Sequence, residues 1–348
     1  MSYPRGVSRL TSLGLDAARR ADPEIDQLDG SAVIGRVARV DRGEVVVLSE
    51  TDDLRALSDS QRAQDLIAPV TGDWVTVRDD DELGLVVDRV FTRRTSITRR
   101  DPAEQINDQV LVSNVDVVAV VHGLDQSSND ARIERFLVLA IDSGAEPLIV
   151  LNKADMGAAG DEDDPTYRAL AAIAPIVVTS ALDGRGIEDL RSHIDPGQTL
   201  VLLGPSGVGK SSLVNALVGD EVFETGDVRA GDRRGRHTTT VRELIELPGG
   251  GMVIDTPGVR SVGLWAADVA LDEVFADIVR TADGCRFRDC THRSEPDCAV
   301  VAAVDAGAVD AMRLARYQML WQELAEQAIE LERRDRTPQP GRRNRRRR

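Results

Sequence analysis

The sequence predicts a multidomain fold: an N-terminal OB-like β-barrel, a central α/β domain and a C-terminal helical domain. Three observations support this prediction. A chain of 348 residues exceeds what one hydrophobic core usually organises. Short alternating strands before residue 92 give way to continuous apolar strands and helices after residue 107. All three cysteines then fall within fourteen residues, at 285–298, in a region of helical periodicity.

The composition is that of a globular protein without a membrane segment. Hydrophobic residues make up 42% of the chain but aromatics only 3%, so aliphatic residues must build the cores. No apolar run reaches the roughly 18 residues that a membrane helix needs. Residues 1–30 lack the apolar segment of a secretion signal, and we expect a flexible arm there. These features predict a cytoplasmic location, where cysteines serve as thiols or metal ligands rather than disulfides.

Charge is distributed unevenly along the chain. The net charge is −16, yet residues 333–348 contain nine arginines and one aspartate. This segment is too polar and too rich in Pro and Gly to fold alone, so a disordered tail is predicted. An arginine tail can bind nucleic acid through phosphates, or it can act only as a solubilising terminus. The sequence leaves both interpretations open.

Residues 31–92 contain about five short strands rich in β-branched residues, separated by Gly, Asp and Pro. This pattern favours a small barrel of the OB type, a fold that often binds nucleic acid. The segment is acidic, however, and Trp74 and Phe91 are its only aromatics, so the sequence does not establish a nucleic-acid face. The basic segment 93–100 that follows either contacts phosphates or docks neighbouring domains.

Residues 99–265 alternate strands and helices as expected for a doubly wound α/β domain. Continuous apolar strands such as 115–121 are typical of a buried parallel sheet. In such sheets, ligands bind at the carboxyl ends of the strands. The polar segments that follow the predicted strands are therefore the candidate site.

One of these segments has the complete pattern of a phosphate-binding loop between a strand and a helix. Its glycines allow backbone N–H groups to turn toward phosphates. We expect Lys210 to reach the β- and γ-phosphates and the Ser211 hydroxyl to bind Mg²⁺. The predicted phosphate-site residues are Gly204, Pro205, Ser206, Gly207, Val208, Gly209, Lys210, Ser211 and Ser212.

Asp255-Thr-Pro-Gly258 follows a later buried strand. Asp255 can hold Mg²⁺ through water, and the N–H of Gly258 can sense the γ-phosphate. Between this motif and the phosphate loop lies the segment 233–240, RRGRHTTT, in which a threonine should complete the Mg²⁺ shell. Val259 cannot orient a water, a task that a glutamine performs in Ras-like enzymes. His237 is the nearest substitute, as a catalytic or merely structural histidine.

Base recognition is predicted at Asn152, Lys153, Ala154 and Asp155. The Asp155 carboxylate can accept hydrogen bonds from guanine N1–H and from the N2 amine. Adenine lacks this donor pair and would leave the charge unpaired, so GTP is predicted over ATP. Ser180 and Ala181 fit the loop whose backbone N–H reads guanine O6. This base motif precedes the phosphate loop in the chain, which inverts the usual order.

Residues 266–332 are predicted to form a helical metal-binding domain. Cys285, Cys290, His292 and Cys298 offer three thiolates and one imidazole, the ligand set of a closed, structural zinc site. The final helix carries Met and Trp residues at helical spacing. We expect those residues to pack in a core rather than to form a partner site.

The motifs NKAD, TSA, GPSGVGKSS, GRHTTT, DTPGVR and C-x4-C-x-H-x5-C occur in that order within residues 31–332. Together they closely resemble the circularly permuted GTPases known as ribosome small-subunit-dependent GTPase A. The resemblance implies a zinc-containing, cytoplasmic GTPase that binds the small ribosomal subunit and its rRNA late in subunit maturation and is stimulated by it. It also implies that Thr239 binds Mg²⁺ and that His237 is catalytic. The arginine tail and the acidity are not general features of that family.

Further expectations concern mechanism and alternatives. The chain continues from 255–258 into the zinc domain within a few residues, so hydrolysis to GDP is expected to move that domain and release the subunit. A monomer without membrane association is expected. One alternative is a GTP-gated RNA-binding scaffold in which hydrolysis is incidental. Another, a small-molecule kinase, is disfavoured by the NKAD motif and by the lack of a substrate lid.

Overall fold

The computed structural model describes residues 7–28, 32–58, 67–99, 109–125, 130–156, 165–219, 242–255 and 267–335. The chain divides into two compact units, residues 1–263 and residues 264–348. Among the helices in the described ranges, none has both the length and the apolar character needed to cross a membrane.

Five strands near the N-terminus form a closed barrel. They are β1 (Val33–Asp41), β2 (Glu44–Leu48), β3 (Asp53–Leu57), β4 (Trp74–Asp80) and β5 (Gly84–Val90). Their order is β1-β2-β3-β5-β4, and β4 also pairs with β1, which closes the sheet. The interior is lined by small aliphatic side chains, among them Val37, Val47 and Val75. The predicted OB-like barrel is thus confirmed.

The two aromatic residues of the predicted barrel segment are not available for stacking on bases. Trp74 is only 2% exposed and Phe91 only 3%. The Arg89 guanidinium lies over the Phe91 ring at 5.0 Å and also pairs with Glu24. Because base stacking requires an exposed ring face, neither aromatic can supply it.

Part of the expected N-terminal flexible arm is folded, so that prediction was wrong for residues 9–27. This part contains α1 (Arg9–Ser12), α2 (Leu15–Ala21) and a 3₁₀ turn (Pro23–Gln27). Leu13 is fully buried, and the Glu50 carboxylate accepts hydrogen bonds from the backbone N–H groups of Arg9 (3.2 Å) and Leu10 (3.1 Å). Helices this short are not stable alone, so contacts with the barrel hold them.

Arg36, on β1, joins several segments of the first unit. Its side chain is fully buried, and it donates hydrogen bonds to the carbonyl oxygens of Leu13 (2.5 Å), Gly72 (3.2 Å) and Asn114 (2.8 Å). It also contacts the sulfur of Met252 at 3.2 Å. Burial lowers the pKa of Arg36 to about 10, still far above neutral, so the guanidinium stays charged. It therefore links the N-terminal helices and the barrel to the α/β domain.

Replacing Arg36 with methionine should destabilise the first unit. The substitution removes the guanidinium donor from three buried carbonyl groups, of which Gly72 keeps the Asn114 amide as a donor at 3.0 Å, and we expect a loss of about 2–4 kcal/mol in the free energy of unfolding. Urea unfolding of the full chain would measure it. Arg78→Met, which removes a half-exposed cross-strand pair with Asp88, is the control and should change stability by less than about 0.5 kcal/mol. Equal effects of the two substitutions would contradict this role for Arg36.

The first two arginines of the basic segment dock the barrel against the α/β domain. Arg93 donates from Nε and Nη2 to the two carboxylate oxygens of the buried Asp73, at 2.8 Å each. Arg94 donates to Asp116 Oδ1 at 2.5 Å. Both charges are thus neutralised within the protein. For these two residues, the domain-docking interpretation of the segment is the one that the structure supports.

Within the described residues, the central domain is a six-stranded sheet with helices, preceded by a two-stranded hairpin. The hairpin strands are β6 (Ser96–Arg99) and β7 (Gln109–Ser113). The sheet strands are β8 (Val117–Gly123), β9 (Glu146–Asn152), β10 (Ile176–Val178), β11 (Thr199–Leu203), β12 (Glu243–Glu246) and β13 (Met252–Asp255). The helices are α3 (Asp130–Asp142), α4 (Pro165–Ala171), α5 (Ile187–Ser192) and α6 (Lys210–Val218).

The strand order in space is β10-β9-β8-β11-β13-β12, followed by β1 of the barrel. The first five strands are parallel, and β12 is antiparallel to β13. A single pairing of Arg39 with Glu243 joins barrel and domain into one continuous sheet. The parallel strands that precede β11 in the chain all lie on one side of it, and their carboxyl ends meet at one edge. The α/β prediction is confirmed.

The second unit is helical, as predicted. It contains α7 (Asp268–Val274), α8 (Ala276–Ala282), α9 (Ala299–Asp305) and α10 (Ala311–Asp335). Phe275 is fully buried between the Tyr317 ring, at 5.5 Å, and the Arg313 guanidinium, at 4.7 Å. Arg313 also donates to both carboxylate oxygens of Asp277 at 2.9 Å. These contacts attach α10 to α7 and α8.

Two expectations for the last helix were wrong. Met312, Met319 and Trp321 are 66%, 55% and 46% exposed, so they do not pack in a core. Leucines on other faces of α10, Leu320 among them, are buried instead. The helix also continues to residue 335, so residues 333–335 of the predicted disordered tail are helical. Residues 336–348 lie outside the described residues.

Candidate functional site

The predicted site segments lie where the parallel strands end. Asn152 ends β9 and residues 153–155 follow it, residues 179–181 follow β10, residues 204–211 follow β11, and Asp255 ends β13. Parallel strands place these ends at one edge of the sheet. The first three segments are also connected to one another by side-chain hydrogen bonds, which define a candidate pocket.

Asn152 connects these three segments through one buried amide. Its Nδ2 donates to the carbonyl oxygen of Val208 at 2.9 Å. Its Oδ1 accepts from the Thr179 hydroxyl at 3.1 Å and from the Ala181 N–H at 3.3 Å. A side chain at Gly209 would meet this amide, since an added Cβ would lie 2.4 Å from Nδ2. Asn152 therefore holds the phosphate loop next to the two segments, 152–155 and 179–181, that are predicted to bind the base.

The loop at 204–211 wraps around its own lysine. Lys210 Nζ donates to the carbonyl oxygens of Gly204 and Pro205 at 2.9 Å each. Gly204 approaches β8 so closely that an added Cβ would lie 2.5 Å from the Val121 carbonyl oxygen. Helix α6 begins at Lys210, so its N-terminal N–H groups and dipole face the loop. Ser206 is exposed and Ser211 and Ser212 are half-buried.

Asp155 is held in place by the neighbouring loop. The buried Ser180 hydroxyl donates to Asp155 Oδ1 at 2.7 Å. The backbone N–H of Ala154 donates to the Thr179 carbonyl at 3.0 Å, which ties the same two segments together again. Asp155 itself is exposed. Its carboxylate is oriented by Ser180 and remains open to a ligand.

Asp125, which the sequence gave no reason to select, also belongs to this edge. Its Oδ2 accepts a hydrogen bond of 2.8 Å from Nζ of Lys153, a residue with a left-handed backbone conformation at φ of +65°. Asp125 follows β8 and lies 28 positions before Lys153. No motif marks it, because the contact depends on β8 and β9 being neighbours in the sheet.

The remaining predicted residues of this site are distributed as follows. Asp255 is only 5% exposed at the end of β13, where its backbone lies opposite that of Glu243 in the antiparallel register with β12. His237, Thr239 and Gly258 lie outside the described residues. The described geometry thus covers the base and phosphate parts of the predicted site, together with Asp255.

The four predicted metal ligands converge in the second unit. The donor atoms of Cys285, Cys290, His292 and Cys298 all lie within 4.8 Å of one another. The Cys285 and Cys298 sulfurs are 3.8 Å apart, and His292 Nδ1 lies 3.6 and 3.5 Å from them. Zinc–sulfur and zinc–nitrogen bonds of about 2.3 and 2.0–2.1 Å at tetrahedral angles would require separations of about 3.8 and 3.6 Å. The donor set fits a tetrahedral ion.

Glu295 organises the loop that carries the histidine ligand. Its carboxylate accepts hydrogen bonds from the Thr291 hydroxyl and from the N–H groups of Thr291, Arg293 and Ser294. The Thr291 hydroxyl, followed by the N–H groups of Thr291 and Arg293, lowers the pKa of Glu295. The His292 carbonyl in turn accepts a hydrogen bond from Gln318 at 2.7 Å. His292, with φ of +58°, is thereby held on both sides.

Comparison with known families identifies the central domain. The family model of the RsgA GTPase matches residues 90–265. The Small ribosomal subunit biogenesis GTPase RsgA of Streptomyces coelicolor is 44% identical over 298 residues, which cover 83% of this chain and 80% of that protein. The protein of the same name from Opitutus terrae is 45% identical over 267 residues, covering 74% and 73%.

Solved structures agree with this assignment. YjeQ from Thermotoga maritima superposes with a TM-score of 0.59 at 30% identity, covering 84% of this chain and 98% of that one. YloQ, described as a circularly permuted GTPase, gives a TM-score of 0.57 at 26% identity and covers 89% and 97%. The shared architecture includes the inverted motif order that the sequence predicted. The chain belongs to the RsgA GTPase family.

Proposed function

We propose that this protein is a GTPase that binds the small ribosomal subunit and its rRNA and hydrolyses GTP to GDP and phosphate in a late step of subunit maturation. Subunit binding stimulates hydrolysis, and hydrolysis drives release. The observation that carries the nucleotide part is the Asn152 amide, which holds the phosphate loop and the base motif in one pocket. The small-subunit part is carried by the names of the closely similar relatives.

Guanine is read by the segments around Asp155. The Asp155 carboxylate, oriented by Ser180, accepts from N1–H and the N2 amine. Guanine O6 competes with Asn152 for the N–H of Ala181, whose present hydrogen bond of 3.3 Å is longer than the usual range. Lys153 and Ala154 complete the base side of the pocket. An adenine would meet these groups with the wrong donor pattern.

The triphosphate is bound by the loop at 204–212. Lys210 exchanges the carbonyl oxygens of Gly204 and Pro205 for the β- and γ-phosphates, which are stronger acceptors for an ammonium group. Ser211, Thr239 and Asp255 would hold Mg²⁺, which supplies charge neutralisation as the γ-phosphate leaves. His237 orients the attacking water, and the N–H of Gly258 donates a hydrogen bond to the γ-phosphate when it is present.

The metal of the second unit is zinc, and its role is structural. Cys285, Cys290, His292 and Cys298 would fill a tetrahedral shell and leave no position for a substrate. The chain passes from the end of β13 at Asp255 into this unit. A rearrangement of residues 256–258 upon hydrolysis therefore reaches the second unit through the covalent chain. This changes the affinity for the small ribosomal subunit. The protein acts as a cytoplasmic monomer.

Hydrolysis measured with and without purified small subunits tests the proposal. The protein alone should turn over slowly, and subunits should accelerate it by about 10³-fold or more, since the partner completes an incomplete site. The acceleration should fall steeply with salt because arginines contact rRNA phosphates. Purified large subunits and the Lys210→Ala variant serve as controls. A rate that small subunits do not change would overturn the ribosomal part, and a Lys210→Ala variant that still supports maturation would favour the scaffold alternative.

A further inference from the structure

The structure assigns Asp125 a role as the positioning residue for Lys153 in nucleoside binding, an inference that rests on the proposed function. Lys153 Nζ donates to Asp125 Oδ2 at 2.8 Å. Lys153 lies between Asn152, which ties the pocket together, and Asp155, which faces the base. Asp125 comes from a different strand end, that of β8. The contact therefore fixes a base-motif side chain from outside the motif.

Neighbouring contacts constrain this pair more than an ordinary surface ion pair. The side chains of Lys153 and Asp125 are 24% and 21% exposed, although Asp125 as a whole residue is exposed. The Leu124 N–H donates to the Asn152 carbonyl at 2.8 Å, so the backbones on both sides of the pair are joined. Around Gly123 the packing is tight: a Cβ there would lie 2.5 Å from Asp125 Oδ1 and 3.6 Å from Lys153 Cδ. The Asp125 carboxylate and the Lys153 stem thus both pack against Gly123, in space that a larger side chain would fill.

The position of the Lys153 stem affects how a nucleobase would bind. With its ammonium held by Asp125 just after β8, the four-carbon stem of Lys153 passes from the end of β9 along Gly123 of β8. A stem held in this way offers the nucleobase an ordered apolar surface, whereas a free lysine would have to lose its rotamer freedom on binding. Because GTP and GDP share the nucleoside, Asp125 should improve the affinity for both by the same factor.

The Asp125→Asn variant tests this role with little change in shape. We expect the dissociation constants for fluorescent GDP and for a nonhydrolysable GTP analogue to rise by the same factor of about ten, as loss of a charge-assisted hydrogen bond predicts. In hydrolysis assays the loss should fall on KM rather than on kcat. Asp125→Glu should restore part of the affinity. Asp88→Asn, which removes a barrel ion pair of 2.9 Å, is the matched control and should change none of these values.

A double-mutant cycle shows that the effect passes through Lys153. In a Lys153→Ala background, Asp125→Asn should change GDP affinity by less than about twofold, because the two residues act as one unit. Equal effects of Asp125→Asn in both backgrounds would overturn the inference, as would an Asp125→Asn variant that binds GDP like the unmodified protein. Failure of the unmodified protein to prefer GDP over ADP would instead refute the proposed function itself.

Discussion

An Asp155→Asn variant is expected to lose GTP binding and to gain binding of xanthosine triphosphate. Asparagine keeps one carbonyl oxygen but replaces the other carboxylate oxygen with an amide donor. Guanine presents an N2 amine at this position, and two donors then face each other. Xanthine presents an oxygen there, which accepts from the new amide. The Ser180 hydroxyl, which donates to Asp155 Oδ1 at 2.7 Å, selects which end of the amide remains the oxygen.

The expected loss of GTP affinity in Asp155→Asn follows from the two hydrogen bonds that the carboxylate makes to guanine. Each hydrogen bond to a charged group contributes about 1.5–3 kcal/mol, so two of them predict a loss of about 10²–10⁴-fold in GTP affinity. Titration of both nucleotides into both proteins measures it. Glu188→Gln, on helix α5, removes an exposed pair with Arg191; it is the control and should leave GTP affinity within about twofold. A variant at Asp155 that binds GTP normally would remove this residue from base recognition.

A Cys298→Ala variant is expected to lose the fold of the second unit. Cys298 is buried, belongs to the metal cluster, and accepts a hydrogen bond from the N–H of Val301 at the start of α9. Structural zinc contributes about 10–16 kcal/mol of apparent binding free energy in small domains, more than most domains have in total stability. Three ligands without the fourth should bind zinc far less tightly, so α7–α10 should lose their packing.

Zinc content, far-UV circular dichroism and limited proteolysis would measure this effect. Removal of zinc from the unmodified protein by a strong chelator should reproduce it. Asp297→Asn is the matched control, since Asp297 is adjacent in sequence but makes only an exposed pair with Arg286. GDP affinity should survive in Cys298→Ala, because the described pocket residues all belong to the first unit. Full helix content in the metal-free protein would contradict a structural role for the site.

Motifs with local geometric requirements could be predicted from the sequence. The glycines of the phosphate loop, the apolar strands before each polar segment and the cysteine spacing all encode nearby structure. The barrel was predicted for the same reason: five short strands with turn residues between them allow few other arrangements. Asp255 was placed at a strand end by its apolar neighbours, and the structure has it at the end of β13.

Features that depend on tertiary contacts were not predicted. The helices at residues 9–21 have no core of their own, and their stability comes from Glu50 and from the Arg36 guanidinium. Arg36 sits in an alternating strand, where an arginine usually indicates solvent. Trp321 lies at helical spacing with other apolar residues of α10, but the periodicity of one helix does not determine which of its faces a neighbouring helix covers. Asp125 lies far from Lys153 in the chain and meets it only across the sheet.

We propose that segments from three strand ends form one guanine-specific pocket despite their inverted order in the chain. Calorimetric titration of the unmodified protein with GDP and with ADP, in magnesium buffer, is the decisive experiment. GDP should bind at least about 100-fold more tightly than ADP, as two hydrogen bonds to a carboxylate require. ADP affinity within tenfold of GDP affinity would contradict it.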